Sequence, residues 1–142
     1  MIGCQFPVIR PRQPDWQPVD PSASRVTGGL HVSCRPERGY LVTSLRGALD
    51  ESIAPALREY LLRIAHECAG RLVIDLSAVS YADVSGLTVL VGTDRRAQLL
   101  GGLVRLAGPA AQVTSALTTT GLDRHLHVYA TVEAAITGAA EV

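Results

Sequence analysis

Residues 72–92, LVIDLSAVSYADVSGLTVLVG, decide the fold. The stretch opens on LVIDL, an apolar run short enough for a strand and apolar enough to be covered on both faces. Its second half starts a helical pattern in which Leu87, Leu90, Thr93 and Ala97 share one face. Asp83 stands at the junction, where a carboxylate accepts N–H bonds from a helix's first turn. The pattern predicts a strand over residues 71–76, a loop containing Ser80, and a helix over residues 84–100 stopped by Gly101 and Gly102. Ser85 then lies in the first helical turn with its hydroxyl near the surface. Two readings of it stay open: an ordinary first-turn serine, or the centre of a docking face. Gly86 disfavours a helix by ~1 kcal/mol relative to Ala, which points to a close approach there. Val89 and Val91 flank the sheet-facing stripe and are expected to be exposed aliphatics beside the serine.

Working outward, LHVSC and YLVTSLRG read as an antiparallel hairpin around a loop RPERG. Asp50 or Ser52 can cap a helix reaching about residue 69, with Pro55 in its first turn and Gly70 ending it. Ile53, Leu57, Leu61, Ile64 and Cys68 form its apolar stripe. Beyond the central helix come a strand LVRLA, a short helix ending at Gly121, a strand HVYA and a last helix capped by Thr131. Alternating strands and helices predict an α/β fold: one domain, with a mixed, mainly parallel sheet of about five strands and four helices. Five of the eight prolines fall in the first 21 residues. Residues 1–28 therefore read as a Pro-rich tail holding Phe6 and Trp16, and residues 29–142 as the domain.

Composition excludes several function classes. The 13 basic residues, all Arg, balance 13 acidic ones, so no surface for nucleic acid or anionic membrane is advertised. Without Lys there is no phosphate-binding loop of the GxxxxGK type, and GxGxxG is missing as well. Asp83 and Leu87 stand where a nucleophile elbow around Ser85 would need glycines. His125 and His127 alternate around Leu126, as on one face of a strand, but two imidazoles are half a metal site at best. Cys4, Cys34 and Cys68 are widely spaced and odd in number, which fits free thiols in a reducing cytosol. No window reaches the ~18 apolar residues of a membrane span. The expectation is a cytoplasmic protein with no cofactor, no metal and no enzymatic activity.

The residues GALD at positions 47–50, LVIDLSAVSYADVSGLTVLVG, GGLVRLAGPAAQV and TTTGLDRHLHVYATVEAAI together resemble the STAS domain family, typified by bacterial anti-sigma factor antagonists. The resemblance covers about residues 29–136. It implies a binding module that, unmodified, captures an anti-sigma factor with serine kinase activity and releases the sigma factor. In the family the serine before the glycine of this motif is phosphorylated, which ends binding; here that residue is Ser85. Val84 occupies a position where the family often has a second small hydroxyl residue, leaving Ser85 the only acceptor in the motif. The implied partner-binding residues are Asp50, Asp83, Val84, Ser85, Gly86, Leu87, Val89 and Val91. The resemblance further implies a monomer or weak dimer with no direct nucleic-acid contact and no membrane insertion. Two alternatives share the fold: a STAS subunit of a transporter or sensory complex, and a small-ligand-sensing STAS module.

Overall fold

Strands β1 (His31–Glu37) and β2 (Tyr40–Leu49) form the expected antiparallel hairpin, with Glu37 opposite Tyr40. The computed structural model describes residues 30–138, so the proposed tail lies outside the described residues. The hairpin turn is only Arg38 and Gly39, with φ of 50° and 88°. Positive φ at both central residues gives the twist that closes a two-residue hairpin. The loop is thus shorter than expected, because Arg35, Pro36 and Glu37 continue β1. Pro36 is tolerated since β1 is the sheet's edge strand, where one row of N–H groups has no ladder partner.

Helix α1 (Ala54–Glu67) leads to β3 (Arg71–Ala82), α2 (Val84–Leu99) and β4 (Leu103–Ala107). Helix α3 (Ala111–Thr120), a 3₁₀ turn (Leu122–His125), β5 (His127–Tyr129) and α4 (Val132–Thr137) complete the described chain. The five strands lie side by side in chain order; β1 is antiparallel to β2 and the other pairs are parallel. Right-handed crossovers that always advance in one direction place their helices on one face. The large core accordingly joins α1, α2 and α3 to that face, through Leu45, Leu57, Leu61, Leu72, Ile74 and Leu87, all at 1 % exposure or less. On the opposite face α4 brings Ala135 and Ile136 over Val42, Val73, Ala107 and Tyr129. The expected α1 stripe is buried throughout, from Ile53 to Cys68.

Two further expectations need correction. The apolar run of β3 ends at Leu76, yet the strand continues to Ala82, so Ser80 is in the strand and not in a loop. Register with β2 shifts twice, between Ser44 and Arg46 and between Gly47 and Ala48, as β3 inserts extra residues. The Asp75 carboxylate supports the first shift by accepting from Ser77 N (3.0 Å) and Ser77 Oγ (2.8 Å). Val89 and Val91, expected to be exposed, are buried at 7 % and 9 %. Helix α2 is flanked by α1 on one side and α3 on the other, so its apolar surface spans more than the sheet-facing stripe. Asp94 is buried with it and holds the start of β4, accepting from Val104 N at 2.9 Å and from Gln98 Nε2 at 2.8 Å.

The two glycines of α2 meet different surroundings. A Cβ on Gly86 would overlap the backbone of Leu49 at the end of β2, whereas one on Gly92 would meet nothing within 4 Å. Gly92→Ala should therefore stabilise the protein by about 0.5–1 kcal/mol through helix propensity alone. Gly86→Ala gains the same propensity but must push α2 off β2, so it should destabilise by about 1–3 kcal/mol. Urea denaturation of both variants checks the pair; equal shifts of one sign would remove the contact with Leu49 from this account.

Candidate functional site

The site lies where β2 and β3 end together. Leu49 pairs with Ala82, so Asp50 and Asp83 follow the ends of neighbouring strands. Asp83 N donates to Leu49 O at 3.0 Å, which ties the start of α2 to the end of β2. Asp83 has extended backbone, with φ −112° and ψ −178°, and its Oδ1 accepts from Gly86 N at 3.1 Å. Its carbonyl then accepts the first helical bond, from Leu87 N at 2.9 Å. The expected cap is therefore present, and Gly86 is explained by its contact with Leu49.

Asp50 holds a second turn beside the first. Its Oδ1 accepts from Ser52 Oγ at 2.6 Å, Ser52 N at 3.0 Å and Ile53 N at 3.2 Å. Donation by the Ser52 hydroxyl, followed by the backbone N–H groups, holds the Asp50 carboxyl below the usual carboxylate range. Asp50 therefore organises the turn that enters α1 (Ala54–Glu67), but neither it nor Ser52 is the helix cap as expected: the N-cap is Ile53, which has no side-chain cap bond. Two carboxylates and two turns thus frame the start of α2.

Ser85 sits half-buried on this rim. Its hydroxyl makes no hydrogen bond among the described residues, while those of its neighbours are engaged. Thr88 Oγ1 donates to Val84 O at 2.6 Å and Ser80 Oγ donates to Gly47 O at 3.3 Å. Val84 is 55 % exposed and Tyr81 45 % exposed, an apolar pair on either side of Asp83. Gly86, Leu87, Val89 and Val91 lie beneath this surface as buried support. The exposed apolar contribution thus comes from Val84 and Tyr81, and sequence periodicity did not single out Tyr81.

Gln112 was also missed. Its side-chain amide reaches from α3 to both backbone groups of Ala82, accepting from N at 2.9 Å and donating to O at 3.2 Å. This completes the edge of β3 beyond the end of β4, whose pairing stops at Asp75. No sequence pattern announces such a contact, which needs α3 placed on the sheet. A cavity of about 480 Å³ lies between α3 and β5, lined by Thr114, Leu117, Thr118, Val128 and Tyr129 among others. None of residues 83–87 lines it.

Other candidates separate. His125 ends the 3₁₀ turn while His127 begins β5, so they do not alternate on one strand. No group of three metal-ligating side chains occurs among the described residues. Cys34 is a free thiol, and buried Cys68 donates from Sγ to Ala65 O at 3.7 Å. Cys34 Sγ lies 2.8 Å from Tyr60 Oη, and burial pushes its thiol pKa up, away from reactivity. No helix among the described residues is long and apolar enough to cross a membrane.

Comparison with known proteins agrees with this architecture. The STAS domain model matches residues 32–135. The anti-sigma-B factor antagonist of Bacillus subtilis is 30 % identical over 107 residues, covering 75 % of this chain and 97 % of that protein. The anti-sigma-F factor antagonist RsfB of Mycobacterium tuberculosis is 31 % identical over 111 residues, covering 77 % of this chain and 88 % of its own. The crystal structure of an anti-sigma factor antagonist from Mycobacterium paratuberculosis superposes with a TM-score of 0.71 at 27 % identity, over 82 % of this chain and 97 % of that one. With a match that takes in Asp50, Asp83 and Ser85 together with all five strands, the chain belongs to the STAS domain family.

Proposed function

We propose that the protein is an anti-sigma factor antagonist. Unmodified, its rim around Ser85 captures an anti-sigma factor that is a serine kinase, and the sigma factor is released. Phosphate on Ser85 ends that capture. The observation that carries this reading is the half-buried Ser85 hydroxyl, next to exposed Val84 and without a hydrogen bond among the described residues, while Ser80 and Thr88 are committed to carbonyls. Relatives named as anti-sigma factor antagonists supply the partner class. The kinase and its nucleotide belong to the partner, so this chain is a cytoplasmic binding module and performs no chemistry itself.

The switch follows from the geometry of a helix start. The first-turn N–H groups and the helix dipole favour negative charge, so a phosphate on Ser85 leaves α2 folded. It adds about −1.5 to −2 charge at a surface already carrying Asp83 and Asp50. A partner docked there would have to bury that charge without a counter-ion supplied by the rim. A penalty of about 3 kcal/mol, within the range for unpaired buried charge, corresponds to about 100-fold in affinity.

Incubation with the cognate anti-sigma kinase and ATP should add one phosphate, mapped to Ser85 by peptide mass spectrometry. Ser85→Ala should keep the fold and bind constitutively, and Ser85→Asp should weaken binding less than phosphate does, since it carries one charge on a shorter arm. Phosphate on another residue, or loss of all binding in a folded Ser85→Ala variant, would falsify the switch.

Asp83 combines two roles that substitution separates. Asp83→Ala should cost about 1 kcal/mol of stability, the usual loss on removing a cap, and should weaken partner capture. Asp83→Asn keeps an oxygen for Gly86 N and should retain most of the stability while losing the charge. Calorimetric titration of the partner compares the two: binding by Asp83→Asn equal to wild type would take the charge out of the interface and leave Asp83 as a cap only.

A further inference from the structure

At the opposite end of β3 from Ser85, two arginines converge on one tyrosine. The Arg71 guanidinium lies 5.4 Å from the Tyr40 ring centroid and that of Arg105 lies 5.1 Å from it, with Arg105 also 5.8 Å from the Tyr129 ring. Register explains the meeting: Tyr40, Arg71 and Arg105 project from β2, β3 and β4 toward the face that carries α4. With Gly101, Gly102 and Leu103 they line a cavity of about 230 Å³.

Among the described residues no carboxylate balances these charges. Arg105 Nη1 donates to Ala135 O at 2.6 Å, but its Nε is buried with no hydrogen-bond partner among the described residues. Neither Arg71 nor Arg105 makes a salt bridge among those residues. The carboxylates at this corner are already taken: Glu37 pairs with Arg35 at 3.0 Å and Glu133 with Arg38 at 2.7 Å. Buried polar groups such as Arg105 Nε are normally satisfied, and an anion between it and the more exposed Arg71 would offset the repulsion of two guanidiniums held on one ring. Planar forks of N–H donors match oxyanions in particular.

We propose that this cavity is a binding site for a phosphate group, held by Arg71 and Arg105 against Tyr40. The ligand is either free inorganic phosphate or the phosphate of a small monoester. The cavity, at about 230 Å³ roughly eight times the ~30 Å³ share of one water, admits the group with part of its hydration shell. The site is independent of Ser85 and of the antagonist reading, since no residue is shared.

The test is amide NMR of the full chain, titrated separately with inorganic phosphate and with adenosine monophosphate, with sodium chloride at matched ionic strength as control. Saturable shifts at Gly101, Gly102 and Leu103 with either ligand, absent with chloride, are expected, and the tighter ligand identifies the source. Arg71→Gln should weaken that binding at least tenfold, while Arg105 keeps its bond to Ala135 and the spectrum stays folded. Absence of saturable shifts with both ligands, or unchanged affinity in Arg71→Gln, would overturn the proposal.

Discussion

The carbonyl oxygen of Leu49 lies beneath the first turn of α2. Asp83 N–H donates to it, and Gly86 packs so closely on the same residue that a Cβ would overlap it. This junction locks the end of β2, the end of β3 and the start of α2 into one unit. A larger residue at position 86 would lift the helix, and with it the Asp83 cap and the surface that presents Ser85. The weak helix propensity of glycine is accepted there because backbone must approach backbone.

The same junction stands beyond the end of β4. β3 pairs with β4 only from Arg71 to Asp75, while its later half continues along β2 alone. A strand left open on one side would expose N–H and C=O groups, and Gln112 answers this at Ala82 with a side-chain amide that imitates a neighbouring strand. The rim around Ser85 is thus supported from β2, from α3 and from the buried face of α2. Its position is set by the framework, and its few exposed side chains are those the proposed partner would meet.

Local patterns in the sequence specified much of this. Asp83 before a helical run, Thr131 before another, and the stripe from Ile53 to Cys68 each follow from interactions within one turn or one face, and all three occur as read. Readings failed where the answer depends on what lies across the fold. Whether Val89 and Val91 are exposed depends on the placement of α1 and α3 beside α2, which the period of α2 does not encode. The second half of β3, SAVSYA after Leu76, buries only Val79 and Ala82, three residues apart, because the two register shifts each add a residue to β3, so a continuous apolar run underestimates the strand. Gln112, Asp94 and the Arg71–Arg105 pair carry long-range contacts with no signature in their neighbours. Tyr81 was passed over because its exposure reflects the late register shift in β3.

A rim built this way suits the proposed control by a single hydroxyl. The bonds that hold it run between backbone groups and from Asp83, Asp50 and Gln112, none of which involves the Ser85 side chain. Charge added at Ser85 therefore changes what can be desolvated against the surface without loosening what holds the surface in place. Had the hydroxyl been engaged as those of Thr88 and Thr93 are, donating to the carbonyl four residues back, modification would break an existing bond and spread into α2. The separation of a rigid scaffold from one uncommitted polar atom would let stability and the proposed partner affinity vary independently at this site.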